Sequence, residues 1–260
     1  MKKKIGDVAA IFRKATGVDP RTFSPKGYTA GTLAKTFKGM DRLIPSSKRE
    51  RRALTIPHLR ILTNYIQSPA FFCDDYTRIL LSALLTLGVH SLLRPSEFLS
   101  PSTTTHDPIQ HLCNSDVTLF TQHIEIFIGK SKTNKKGALL HPILPTGSDP
   151  CPYLSLRLYL QSQRRRPPSA PVFVHVDGKY VTRSWLDRAL KELCERNNMG
   201  SGWSPYSLRR GGCTSLNHIG ADPHYIKRAG RWRSNAFEIY TESFSHTQHR
   251  NIALSLGQLK

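Results

Sequence analysis

The chain has 260 residues, with 38 Lys and Arg against 18 Asp and Glu, a formal charge of +20 at neutral pH. Such an excess repels itself unless a polyanion is near, so nucleic acid is the first partner to consider and an anionic membrane surface the second. An apolar share of 38% sustains a packed core and excludes wholesale disorder. The longest apolar run, within Ile79–Val89, is about half of the ~20 residues a spanning helix needs. No apolar stretch follows Lys2-Lys3-Lys4 in the manner of a secretory leader. The five cysteines (73, 113, 151, 194, 213) form no CxxC pair, which points to a reducing compartment rather than to zinc or a disulfide framework.

In chain order, residues 1–53 are polar and basic. They hold one amphipathic helix, Ile5–Ala15, with Val8, Ala9, Ile11 and Phe12 on one side, and a weaker one over Gly31–Phe37. Pro45–Arg52 reads as a charged linker. The main domain, 54–260, opens with a helix over Ile56–Ile66. Asp74 or Asp75 caps a core helix striped by Tyr76, Ile79, Leu80, Ala83, Leu84 and Leu87. Pro95 interrupts or restarts it, which places Arg94 at a helix junction. Strands follow over Asp116–Phe120, Ile124–Ile128 and Ala138–Leu144, with a lysine-rich tip between the last two. Pro152 opens a helix to about Gln161, and Val172–Val174 reads as a short strand. Trp185, Leu186, Ala189, Leu190, Leu193 and Cys194 form another helical stripe. Ser204-Pro205 and Asp222-Pro223 start two more helices, ended by Gly220 and Gly230, and Ser234 caps the last. The fold class is α+β, mainly helical with a small antiparallel sheet.

Residues 204–240 concentrate Arg209, Arg210, Arg231, Arg233, Tyr206, Tyr240 and Trp232. Arginine donates two parallel charged hydrogen bonds to a phosphate, and tyrosine becomes a nucleophile once its proton is lost cheaply. Acidic residues are sparse and unclustered, so phosphoryl chemistry here has to run on Arg, Lys, His and Tyr. Four segments resemble the boxes of the tyrosine recombinases, the phage integrase family. Leu93-Arg94-Pro95-Ser96-Glu97 resembles the first arginine box, and Ile128-Gly129-Lys130-Ser131-Lys132-Thr133 the catalytic-lysine hairpin. Ser204–Gly212 resembles the His-x-x-Arg box, and Gly230-Arg231-Trp232-Arg233-Ser234 with Tyr240 the closing box. The style is closest to recombinases of eukaryotic mobile elements, and the likeness covers about residues 54–245.

The resemblance implies that Arg94 and Arg209 clamp the scissile phosphate. Lys132 would protonate the leaving 5′ oxygen, although Lys130, Lys135 and Lys136 share its turn. Tyr240, nine residues after Arg231, would attack phosphorus to give a 3′-phosphotyrosyl link. On the bare pattern Tyr240 equally fits a core face with Ala236, Phe237 and Phe244. Tyr206 stands where the family has histidine, and Arg231, or Trp232 as the alternative, stands at the second histidine position. A phenol binds a phosphate oxygen but is a poor proton acceptor at neutral pH. The expected reaction is cofactor-free and metal-free breakage and rejoining of double-stranded DNA by a tetramer on two duplexes. Residues 246–260 would dock on a neighbour. Residues 1–53 would be a partial helical core-binding segment, shorter than the family's. Localisation would be intracellular, and nuclear in a eukaryote. The alternative is a catalytically decayed mobile-element remnant that binds DNA without cleaving it.

Overall fold

The structure is a computed structural model that describes residues 10, 11, 13–15, 17, 52–129, 139–232 and 234–240, with backbone alone at 139, 236, 239 and 240. The chain divides into two compact units, Met1–Glu50 and Arg51–Lys260. In the first, Ala10, Ile11 and residues 13–15 are helical, within the expected Ile5–Ala15 helix. Ile11, assigned to its apolar side, is 70% exposed, so that member of the stripe is not buried. The expected Gly31–Phe37 helix lies outside the described residues, as do Lys132 and its neighbours on the hairpin tip and residues 246–260.

The second unit begins with a contact the sequence did not announce. Arg52, expected in a charged linker, donates from Nη1 to the Met199 carbonyl at 2.6 Å and lies over the Trp203 ring. Helix α1 (Ile56–Gln67) follows. Helix α2 (Asp75–His90) is capped by Asp74, whose carboxylate accepts from Thr77 N at 2.9 Å. Every residue from Leu80 to Val89 is buried. The expected stripe therefore understated α2, which is enclosed by α1, by α4 (Pro152–Ser162) and by α6 (Pro205–His218). Helix α3 (Pro95–Phe98) restarts at the proline, as expected, and α5 (Arg183–Arg196) buries Leu186, Leu190, Leu193 and Cys194.

The sheet is antiparallel in the order β1-β2-β3: β1 is Val117–Leu119, β2 Ile124–Ile128 and β3 Leu139–Ile143. Ile124 pairs with Ile143, and Ile126 with His141. Directly paired residues share a face. Ile124, Ile126, Ile128 and Ile143 are buried, whereas Phe127 and Leu140 are 44% and 52% exposed on the other face. His141 is thus the polar member of an inward row of isoleucines.

Val172–Val174 is not a strand; Val174 forms only an isolated bridge with Tyr180. Its peptide groups bond partly to backbone, Val172 N to the Leu112 carbonyl and the Phe173 carbonyl to Val181 N, and partly to side chains. Val174 N donates to the buried Tyr159 hydroxyl at 3.0 Å, and that hydroxyl donates to the Val172 carbonyl at 3.1 Å.

Beyond α6, helix α7 (Pro223–Ala229) is capped by Asp222, and the chain closes into a 3-10 helix, Asn235–Tyr240. The 3-10 helix packs on α6 and α7. A small second core forms here from Leu92, Cys213, Ile226 and Phe237. It ties the end of α2 to the segments that hold the arginines of interest. No helix among the described residues is long and apolar enough to cross a membrane.

Candidate functional site

Three arginines from three separate segments meet at the end of α2. The chain leaves α2 at His90 and turns through Leu92, which adopts φ 49°. That left-handed conformation is costly for a branched residue and persists only where packing enforces it. Here the Leu92 side chain is locked in the second core. Arg94 follows as the N-cap of α3. Glu97, one turn on, accepts from Arg94 N at 2.6 Å and from Arg94 Nη1 at 2.8 Å.

Arg209 comes from α6 and is 3% exposed. Its Nη1 donates to the Leu92 carbonyl and its Nη2 to the Gly230 carbonyl. Its neighbour Arg210 is only partly buried, so Arg209 is the member of the pair that turns inward. The guanidinium carbon of Arg209 lies 4.2 Å from the centre of the Trp232 ring, a cation–π contact. The ring rests on Gly230, where a Cβ would come within 1.6 Å of it. A glycine before Arg231-Trp232 is thus a packing requirement.

Arg231 adopts φ 58° and reaches back to the same place. Its Nη2 donates to Glu97 Oε2 at 2.8 Å and to the Leu92 carbonyl at 3.2 Å. One carboxylate therefore bridges Arg94 and Arg231, and one carbonyl serves Arg209 and Arg231. Glu97 is bonded to two of the three guanidiniums, those of Arg94 and Arg231. Burial lowers the Arg231 pKa, Glu97 opposes this, and Arg94 adds to it. The Arg231 Nε–H is buried and has no hydrogen-bond partner. Leaving a buried donor unpaired costs about 1–3 kcal/mol, and an acceptor brought beside this N–H would recover that cost.

The sequence of residues 71–246, more than half of the chain, matches the model of the phage integrase family. The chain belongs to the phage integrase family. Solved structures similar to it are recombinases and integrases. XerH site-specific recombinase bound to difH substrate is 16% identical with a TM-score of 0.55; the match covers 87% of this chain and 62% of that one. XerA recombinase is 15% identical with a TM-score of 0.55, over 99% and 92% of the two chains. The Tn1549 transposon integrase in complex with circular intermediate DNA is 13% identical with a TM-score of 0.57, over 86% and 74%. The chain thus spans less than two thirds of the XerH chain. Comparison with curated proteins gives no match. The mainly helical unit with its small antiparallel sheet is the tyrosine-recombinase catalytic fold.

Of the residues this integrase-family chain offers for a site, Arg94, Arg209 and Arg231 are brought together, and Trp232 covers one face of Arg209. Tyr206 is placed differently. It is 42% exposed on the first turn of α6, with the Arg183 guanidinium over its ring at 5.1 Å. No hydrogen bond joins its hydroxyl to the three arginines among the described residues. The backbone of Tyr240 ends the 3-10 helix against α6 and α7.

Two residues were missed by sequence reasoning. Glu97 stood inside the first box, and its spacing of three from a helix-junction arginine is a capping signal. His141 lay unremarked within the expected Ala138–Leu144 strand. Burial, and then the Arg231 charge beside it, lower the His141 pKa to about 4. The unfolded value is about 6.5. The fold therefore favours the neutral ring, a contribution fully present above the unfolded value and lost as pH falls toward the folded one. Burial lowers His90 in the same direction. The melting temperature is expected to fall between pH 7 and pH 4.5, and to fall less in a His141→Leu variant. Thermal melts of both proteins across that range check this.

Proposed function

We propose that this chain is a DNA strand transferase that breaks and rejoins double-stranded DNA through a 3′-phosphotyrosyl intermediate. The carrying observation is the convergence of Arg94, Arg209 and Arg231, from positions 115 and 22 residues apart in sequence, on Glu97 and the Leu92 carbonyl. Such a cluster holds non-bridging phosphate oxygens and stabilises the charge that grows on them in the transition state. Tyr240 attacks phosphorus, and Lys132 protonates the departing 5′ oxygen. The phosphotyrosyl bond conserves the energy needed for rejoining, so neither a cofactor nor a metal enters. The net charge of +20 supports binding to the backbone of long duplexes. Residues 1–53 serve as a helical core-binding segment, and the working assembly is a homotetramer on two duplexes.

The test uses the full chain, EDTA, and a pool of nicked suicide duplexes of randomised sequence, whose nick lets the 5′ fragment escape. The expected result is a DNA-linked protein that survives denaturing electrophoresis. DNA binding without any such adduct contradicts the reading.

A further inference from the structure

Tyr206 and Arg183 form an exposed pair beside the three-arginine cluster. The guanidinium carbon of Arg183 lies 5.1 Å from the centre of the Tyr206 ring, and both residues are exposed. A guanidinium held over the face of a ring keeps its N–H groups, which lie in its own plane, available to an acceptor. Other exposed cations of this unit are neutralised: Lys179 by Asp177, Lys191 by Asp187 and Arg196 by Glu192. Among the described residues no carboxylate or carbonyl holds Arg183; the ring is its partner. The side chain is thus ordered by stacking while its donors stay uncommitted.

The backbone brings this pair to the cluster from two directions. Tyr206 precedes Arg209 by three residues on α6, so the two are neighbours on the surface of that helix. From the other side, Ser100 N donates to the Val181 carbonyl at 3.0 Å and Ser100 bridges Thr182, which ties the chain after α3 to the start of α5. Helix α3 is a single turn, with Arg94 at its head. Between α3 and α5 lies an open cleft of about 480 Å³, whose lining includes Ser96, Ser100, His111, Arg183, Ser184 and Asp187. Asp187, the carboxylate in this lining, is engaged by Lys191 at 2.5 Å, so Arg183 sets the sign of the cleft's charge.

We propose that Arg183 and Tyr206 are a second grip on the DNA backbone: Tyr206 is the platform, and Arg183 binds a phosphate that flanks the one held by the three arginines. The assignment rests on the reading of this chain as a DNA strand transferase, and on its binding step alone. It gives the tyrosine at the family's histidine position a different task, that of orienting an arginine through its ring, and the hydroxyl takes no part. Stacking fixes a long side chain before DNA arrives, which lowers the cost of ordering it at the contact. The forked donors then meet a phosphate with two charged hydrogen bonds.

The test measures binding of the full chain to a duplex of randomised sequence by fluorescence anisotropy, from about 50 to 200 mM salt. Thermal melting accompanies each variant and should change little at two exposed positions. Arg183→Ala is expected to reduce the slope of log K against log salt by about one, and to weaken binding about tenfold near 0.1 M salt, as loss of one phosphate contact requires. Tyr206→Leu keeps the charge and removes the platform, for a loss of about two- to fivefold, the worth of an exposed cation–π contact. Tyr206→Phe restores the ring without the hydroxyl and should recover that loss. In an Arg183→Ala background, Tyr206→Leu should cost nothing further. An unchanged slope and affinity in Arg183→Ala, a loss in Tyr206→Phe equal to that in Tyr206→Leu, or independent effects of the two substitutions overturns the grip while DNA binding by the wild-type chain stands. A wild-type chain that fails to bind the duplex overturns both the grip and the reading beneath it.

Discussion

Arg209→Ala is expected to slow adduct formation by about 10³-fold, the scale of removing a donor aimed at transition-state charge. Arg209 is 3% exposed and is held by the Leu92 and Gly230 carbonyls and by the face of Trp232. Its removal takes away the brace that joins the end of α2 to the 230–232 turn and, on the proposed function, a phosphate contact. The Leu92 carbonyl keeps Arg231 as a donor, so the Gly230 carbonyl suffers most. A buried acceptor left unpaired costs about 1–3 kcal/mol, and denaturant unfolding should show a loss on that scale. Arg209→Lys keeps the charge without the planar fork and reaches one carbonyl at most. It should regain part of the stability and little of the cleavage. A single-turnover rate for Arg209→Ala within tenfold of wild type would place the phosphate elsewhere.

Gly211→Ala should produce the largest loss of stability of any conservative change in the box. A Cβ there would lie 1.7 Å from the Leu54 carbonyl oxygen and 2.1 Å from its carbon. That backbone has no freedom to retreat, since Leu54 N donates to the Ser207 carbonyl at 2.9 Å. Gly212 is similarly tight, with the Val89 carbonyl oxygen 2.0 Å from a built Cβ. The paired glycines let α6 lie directly against the main chain at residue 54 and at the end of α2. Arg209 sits two residues before them, so a shift of α6 displaces the arginine as well. The expected cost is about 3 kcal/mol or more, the upper range of overpacking. Gly220→Ala is the comparison. Its φ of 77° is strained for alanine, yet nothing lies within 4 Å of the added carbon. It should lose only about 1–2 kcal/mol. Denaturant midpoints for the two variants check the order; a Gly211→Ala protein as stable as Gly220→Ala contradicts the close packing.

Much of the scaffold was legible because its signals are local. Asp74, Pro95, Pro152, Ser204-Pro205 and Asp222-Pro223 mark helix starts within a residue or two, and the alternation over Ile124–Ile128 marks a strand. The arginine boxes were legible in order, and the structure adds their meeting point. What escaped depends on residues far apart in the chain. The enclosure of α2 on every side requires α1, α4 and α6 to be in place. The partners of Val172–Val174 likewise come from a tyrosine hydroxyl more than a dozen residues earlier and from the Leu112 and Val181 main chain. Glu97 gained its bridging position from Arg231, 134 residues later. The left-handed turns at Leu92 and Arg231 carry no glycine to announce them; tertiary packing imposes them. His141 has no local signal, since its surroundings come from the facing strand and from Arg231.

The central claim is that a tyrosine at the end of this chain becomes bonded to DNA beside a clamp of three arginines. The most direct measurement is to isolate the adduct formed with nicked DNA in EDTA, digest both components, and map the modified peptide by mass spectrometry. The predicted result is a single site, Tyr240, carrying a 3′-linked nucleotide, and its loss in Tyr240→Phe. A nucleotide on another residue, or an adduct that survives in Tyr240→Phe, would contradict it.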